Sequence, residues 1–280
     1  MARWCAIRTR EERMSEPLRV AVVTPYYKES PAVLQRCMES VRAQSHPQVV
    51  HYMVADGFPQ HELMASWPQV RHIVLPHAHA NYGCTPRGIG ALCALADDVD
   101  IVSYLDADNL FLPGHAASVV QVVEQQRANG VMLDAVFASR HLFLPGHEHL
   151  RLEAEGEGVG SPFVDTSCIS LTRSAGFLWG VWCRFPRSLT PACDRVMCSL
   201  MQHHQLKVMW TQQHTVLYES NWRPTYLQAG LEPPEHGLHD DTLLAVGEGL
   251  TPDEIWALLR VQHVAGNAAP AVAPPAGARG

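Results

Sequence analysis

The sequence predicts an α/β fold with a mostly parallel central sheet flanked by helices, and three observations carry that prediction. Short runs rich in Val, Ile and Leu recur at Leu18–Thr24, Val49–Ala55 and Ile101–Leu105, the last bounded by polar residues. Between them lie segments whose apolar residues repeat at helical spacing, the pattern of βαβ units. The chain's 280 residues are 47% hydrophobic and 18% charged, an ordinary globular balance with material for a sizeable core.

In chain order, residues 1–17 mix basic, acidic and polar types and read as a disordered arm or, given a second possible start at Met14, as a mis-assigned one. Leu18–Thr24 (LRVAVVT) is a buried strand, followed by Pro25, Tyr26 and Tyr27. Ser30-Pro31 then opens a helix, serine capping and proline at the first helical position, with Leu34, Cys37, Met38 and Val41 on its apolar face. Val49–Ala55 is a second strand ending in Asp56-Gly57, and Arg71–Leu75 a third, weaker one. A Pro/His/Asn/Gly-rich loop over 76–86 leads to a helix with Ile89, Leu92, Cys93 and Ala96 on one side. The fourth strand delivers Asp106, and Pro113-Gly114 leads into a helix with Ala116, Val119, Val120 and Val123 inward. Right-handed crossovers bring the strand ends to one edge, so Asp56, Asn81 and Asp106 should converge there.

Beyond Ala135–Ser139, a further strand, the pattern loosens. Residues 140–161 read as an irregular excursion, and Phe163–Leu171 (FVDTSCISL) as a strand with polar residues at its centre. Thr190-Pro191 starts a helix with Cys193, Val196, Met197, Leu200 and Met201 inward. Lys207–Thr211 and Thr215–Tyr218 read as two short strands with His214 between them. Thr251-Pro252 caps a last helix carrying Ile255, Leu258 and Leu259, and the Ala/Pro/Gly-rich tail from Gly266 is expected to be disordered.

Composition excludes several classes. A formal charge of -7 argues against nucleic-acid binding, and a polyphosphate ligand would need a metal or local arginines. The eight cysteines contain no Cys-x-x-Cys pair, so a zinc site or disulfide framework is disfavoured and a cytoplasmic location is expected. No apolar run approaches the ~18 residues of a membrane span, and the N-terminus lacks a secretory pattern.

Asp106 and Asp108, separated by Ala107, stand where a buried strand exits. Two carboxylates held that close repel unless a cation lies beside them, and hard oxygen donors suit Mg²⁺ or Mn²⁺ shared with substrate phosphates. Aspartates after strands also simply cap turns.

The series VAVVTPYYKES, VADG, NYGCTPRGIGAL and YLDADNLF, in that order, resembles the nucleotide-sugar half of a GT-A glycosyltransferase. It is most similar to family 2, bacterial enzymes that move sugars from activated nucleotide donors, closely over residues 18–125 and more loosely to about residue 220. The resemblance implies a GT-A-like, Rossmann-like sheet with a smaller mixed acceptor-side region. Residues 18–125 would form the nucleotide-sugar-binding half, and 126–265 the acceptor-side half of the same domain. It sets Thr24, Pro25, Tyr26 and Glu29 near the base and ribose, with Asp56 accepting a hydrogen bond from the base. Asn81, Gly83 and Arg87 would lie beneath the donor. Asp106 and Asp108 would be the metal pair, Asp108 the direct ligand and Asp106 also reaching the ribose, with Ala107 beside the donor. Asp194 resembles the base that deprotonates the acceptor hydroxyl, although Arg195 follows it where a second acid is commoner, and Asp165 is its rival. His214 stands where some GT-A enzymes bring a histidine to the metal. The pairs His77/His79, His147/His149 and His203/His204 read as loop and surface residues. Trp179, Trp182, Trp210 and Trp222 include candidates for an acceptor-sugar platform beside a packing role.

The activity so implied is metal-dependent, inverting transfer of a sugar from a nucleotide-diphosphate donor, UDP-linked, to the hydroxyl of a saccharide, lipid-linked or protein acceptor. A sugar-phosphate nucleotidyltransferase is the rival enzyme, although the first loop, TPYYKES, lacks the Gly and Arg such enzymes use. A non-catalytic nucleotide-sugar-binding protein on the same fold is the other alternative.

Overall fold

Val20–Tyr26 (β1) is buried along its whole length, because strands pair with it on both edges and helices cover both faces. Val49–Ala55 (β2) and Ile101–Tyr104 (β4) flank it in parallel, and Arg71–Val74 (β3) adds to β2, giving the parallel order β3-β2-β1-β4. The computed structural model describes residues 16–154, 161, 163–239 and 249–265, with backbone alone for 260–265. Residues 1–15 of the expected arm and the tail from 266 lie outside them.

The sheet continues past β4 with mixed polarity through Ile169–Thr172 (β8), Ala135–Leu144 (β6), Val208–Glu219 (β9) and Leu110–Phe111 (β5). The expected helices are present as Pro31–Arg42 (α1), Cys84–Ala96 (α3), His115–Ala128 (α4), Cys193–His203 (α6) and Pro252–Ala265 (α8). Short helices lie at His61–Ala65 (α2), Gly176–Trp179 (α5) and Arg223–Gln228 (α7). Ser30 caps α1 by accepting the Val33 N–H, and Thr251 and Glu254 form a reciprocal capping box on α8. Among the described residues no helix is long and apolar enough to cross a membrane.

Several elements depart from the sequence expectation. Residues 140–161 are not an irregular excursion in their described part, because β6 runs on to Leu144 and turns at Pro145-Gly146 into His147–Glu153 (β7). Gly146, at φ +74°, makes that turn, and the alternation of Leu150 and Leu152 with charged residues was its signal. Phe163–Leu171 is not one strand. Asp165 accepts the Ser167 N–H at 2.8 Å and caps a single turn over Thr166–Cys168, leaving Ile169–Thr172 for the ladder. The strands expected around His214 are one, β9, kinked where Gln212 is left-handed and Thr211 Oγ1 accepts the Gln213 N–H. The helix expected from Thr190-Pro191 becomes α-helical only at Cys193, after a 3₁₀ stretch over Arg187–Ala192.

Helix α3 is turned from its expected face. Gly88, Gly90, Ala91 and Ala94 are buried while Leu92 is 44% exposed. A Cβ on Gly90 would stand 2.5 Å from Val23 Cγ1, so small residues rather than large ones define the contact face. The helix thus lies close on β1, and its N-terminus is brought to the strand ends.

Candidate active site

The turns after β1, β2 and β3 interlock at the carboxyl edge of the parallel strands. A Cβ on Gly57 (φ +81°) would meet the Ala78 backbone at 2.4 Å, and one on Gly83 (φ +73°) would meet Pro25 Cγ at 2.9 Å. Asp56 closes the arrangement: its Oδ1 accepts the backbone N–H of His79 at 2.9 Å and lies 3.0 Å from the His79 ring, while Oδ2 accepts the Ala80 N–H at 2.9 Å. A carboxylate has about four acceptor positions, so this buried aspartate keeps capacity toward the cleft.

Beside these turns opens a cleft of about 900 Å³. The structure brings Pro25, Tyr26, Glu29, Asp56, Asn81, Gly83, Arg87, Asp106, Ala107, Asp108, Asp165 and Asp194 onto its walls. Two proposed contacts fall elsewhere. Thr24 is fully buried and its hydroxyl lies 2.9 Å from His51 Nε2, because its side chain points into the sheet packing rather than over the strand end. His214 does not line the cleft; its ring stacks on His141 with centroids 4.5 Å apart, near Glu153. Tyr26 touches the cleft, but its hydroxyl accepts the Gln60 N–H and lies 2.7 Å from His72 Nε2, so the polar tip is used inside the protein.

Glu29 accepts the Tyr27 N–H at 2.6 Å and tightens the first turn. Asn81 ties the preceding loop to the first turn of α3, its Oδ1 accepting the Thr85 N–H at 3.2 Å. Arg87, expected beneath the donor, is 2% exposed and donates to Asp106 Oδ1 at 2.5 Å while lying over the Trp182 ring. Buried charge requires such pairing, and it fixes Asp106 at the strand exit.

Asp108 lies beside that pair. Burial pushes its carboxyl up to about 8, helped by the charges of Asp106, Glu219 and Glu29. Arg36 donates to Glu219, Glu148 and the Asp108 carbonyl, bracing the group from α1. Among the described residues no three His, Cys, Asp or Glu side chains form a ready metal cluster. Two carboxylates, one destabilised as an anion, fit a divalent cation that takes its other ligands from substrate oxygens and water.

The opposite wall comes from the second half of the chain. Asp165 is held from two sides, by the Ser167 N–H and by Arg140 at 2.9 Å. Burial pushes its carboxyl upward, Arg140 opposes, and Asp106 and Asp194 add to the rise. Asp194, in the first turn of α6, accepts the Arg195 N–H at 2.7 Å and is less buried than Asp165. Trp222 reaches this wall and packs near His239, whereas Trp179 and Trp182 are core residues. Sequence reasoning missed Arg140, which lies over the Tyr218 ring at 4.1 Å, and Arg36. Their partners are remote in sequence, and no local pattern announces them. Tyr82, also missed, had a signal in its place between Asn81 and Gly83.

Residues 21–168, more than half of the chain, match the family described as Glycosyl transferase family 2. A crystal structure of S. aureus TarS 1–349 is similar with TM-score 0.56 and 12% identity, covering 89% of this chain and 73% of that one. The same protein in complex with UDP gives TM-score 0.53 and 12% identity, covering 88% and 71%. Its complex with UDP-GlcNAc gives 0.50 and 10%, covering 88% and 66%. At such identities the likeness concerns the fold. No curated protein matches the chain in sequence.

Proposed function

We propose that this chain, which belongs to glycosyl transferase family 2, moves a sugar from a UDP-linked donor to an acceptor hydroxyl with inversion, aided by Mn²⁺ or Mg²⁺. The observation that carries the reading is the meeting of Asp56, Asp106, Asp108 and Asp194 on one cleft. UDP as the nucleotide draws support from the TarS complexes with UDP and UDP-GlcNAc, proteins that share the fold.

Asp56 and the interlocked turns hold the nucleoside end, in the half formed by residues 18–125. Asp106, set by Arg87, and Asp108 would hold the cation. Once bound, that ion stabilises charge developing on the departing diphosphate. Asp194 takes the proton from the acceptor hydroxyl. It suits that task better than Asp165 because it is the less buried of the two on the cleft wall. The acceptor lies against residues of the 126–265 half, Trp222 among them. Action in the cytoplasm is part of the proposal, in keeping with every described cysteine being a free thiol.

A thermal-shift series with UDP, UDP-sugars and Mn²⁺ tests the reading. UDP with Mn²⁺ raises Tm in the wild type by mass action and not in Asp108→Asn. Equal shifts in both proteins would falsify the metal assignment.

A further inference from the structure

Tyr82 combines two features that packing does not explain. Its backbone is left-handed, φ +55°, between Ala80 at +48° and Gly83 at +73°. A bulky side chain disfavours that conformation. The residue is 56% exposed and lines the cleft wall. A strained backbone that presents an uncovered aromatic ring to a cleft calls for a ligand.

The surrounding structure holds the strain in place. Asp56 grips the chain at His79 and Ala80, Gly83 is pressed against Pro25, and the Tyr82 carbonyl accepts Arg87 Nη1 at 3.4 Å. Arg87 in turn holds Asp106. The backbone that aims the ring is therefore coupled to the carboxylates at the diphosphate end. Pro25, Tyr27 and Ala80 line the same cleft as Tyr82 and offer it apolar surface, unsuited to a diphosphate but suited to a heterocycle.

We infer that Tyr82 is an affinity-determining residue for the donor, its ring packing against the nucleobase of a nucleoside diphosphate. The inference rests on the donor reading above and adds a residue to it. Aromatic stacking on a base tolerates any base, so Tyr82 serves nucleotide affinity rather than choice among bases.

The test pairs two measurements on the intact protein: Tm without ligand, and Kd for UDP with Mn²⁺ by calorimetry. Tyr82→Gly relieves the left-handed backbone and removes the ring. It raises Tm by about 2 °C and raises Kd about tenfold. Tyr82→Phe keeps the ring and keeps the affinity. A side chain that merely packs would lose Tm and affinity together, and that result overturns the inference, as does Tyr82→Gly with the wild-type Kd. Wild-type protein that binds none of UDP, GDP and ADP overturns the donor reading itself, and this inference with it.

Discussion

The guanidinium of Arg87 donates to Asp106 Oδ1 at 2.5 Å from a position 2% exposed, with the Trp182 ring 4.9 Å beneath it. The first helix to follow the interlocked turns is thereby joined to the strand exit that carries Asp106 and Asp108, the carboxylates proposed to hold the cation.

Arg87→Met keeps the apolar stem and leaves Asp106 without its cation. Losing one partner of a largely buried pair destabilises by about 3 kcal/mol. Urea unfolding should show that loss, and Arg87→Met/Asp106→Asn should recover part of it. Arg87→Lys should recover little, because a point charge replaces a planar fork.

Asp108 sets a pH dependence. Its carboxyl, near 3.8 when unperturbed, rises to about 8 in the fold through burial and the neighbouring carboxylates. A raised folded pKa means that the stabilising contribution is complete below about pH 4 and is lost as pH climbs through 8. The ligand-free protein should therefore lose Tm from pH 6 to 9 relative to Asp108→Asn, reaching a gap of about 1 kcal/mol after screening by the open cleft. Mn²⁺ competes with the proton, so its stabilising effect on the wild type should grow over the same range. His214→Ala, away from the cleft, should leave the Mn²⁺ response unchanged.

Asp194 and Asp165 separate by kinetics and stability. Asp194→Asn should lower kcat by about 10²–10⁴ while UDP binding persists in calorimetry. Asp165→Asn should instead lower Tm, since it loses the Arg140 ion pair, with about 1–3 kcal/mol lost in urea melts.

Gly90→Ala is a packing prediction. Its Cβ would lie 2.5 Å from Val23 Cγ1 and 2.9 Å from Val54 Cγ2, both on central strands. Overpacking there should destabilise by about 1–3 kcal/mol, measured as a fall in the urea midpoint without a change in m.

The parallel half of the fold was legible because β1, β4 and most of β2 are buried and read as continuous apolar runs, whereas the half-exposed β3 gave a weaker signal. Asp56 and Asp106 followed from the rule that such strands end on one edge. What could not be read was orientation. Thr24 and Tyr26 stand at the right strand end, yet one faces His51 and the other hydrogen-bonds His72 and Gln60 inside the protein. Helix α3 showed large apolar residues at helical spacing, while its contact with the sheet depends on glycine and alanine. Arg140 and Tyr218 acquire their places only when β6 pairs with β9, strands far apart in the sequence. His214 was displaced by the same pairing, which made one kinked strand of two.

A helix seated on its sheet through glycines has no slack for tilting or sliding, since any approach meets valine side chains at once. The bank of the cleft that bears Arg87 is accordingly the fixed one. On the facing bank the 3₁₀ stretch over Arg187–Ala192, just ahead of Asp194, lies outside every ladder, so adjustment to differently shaped acceptors would fall there under the proposed reading.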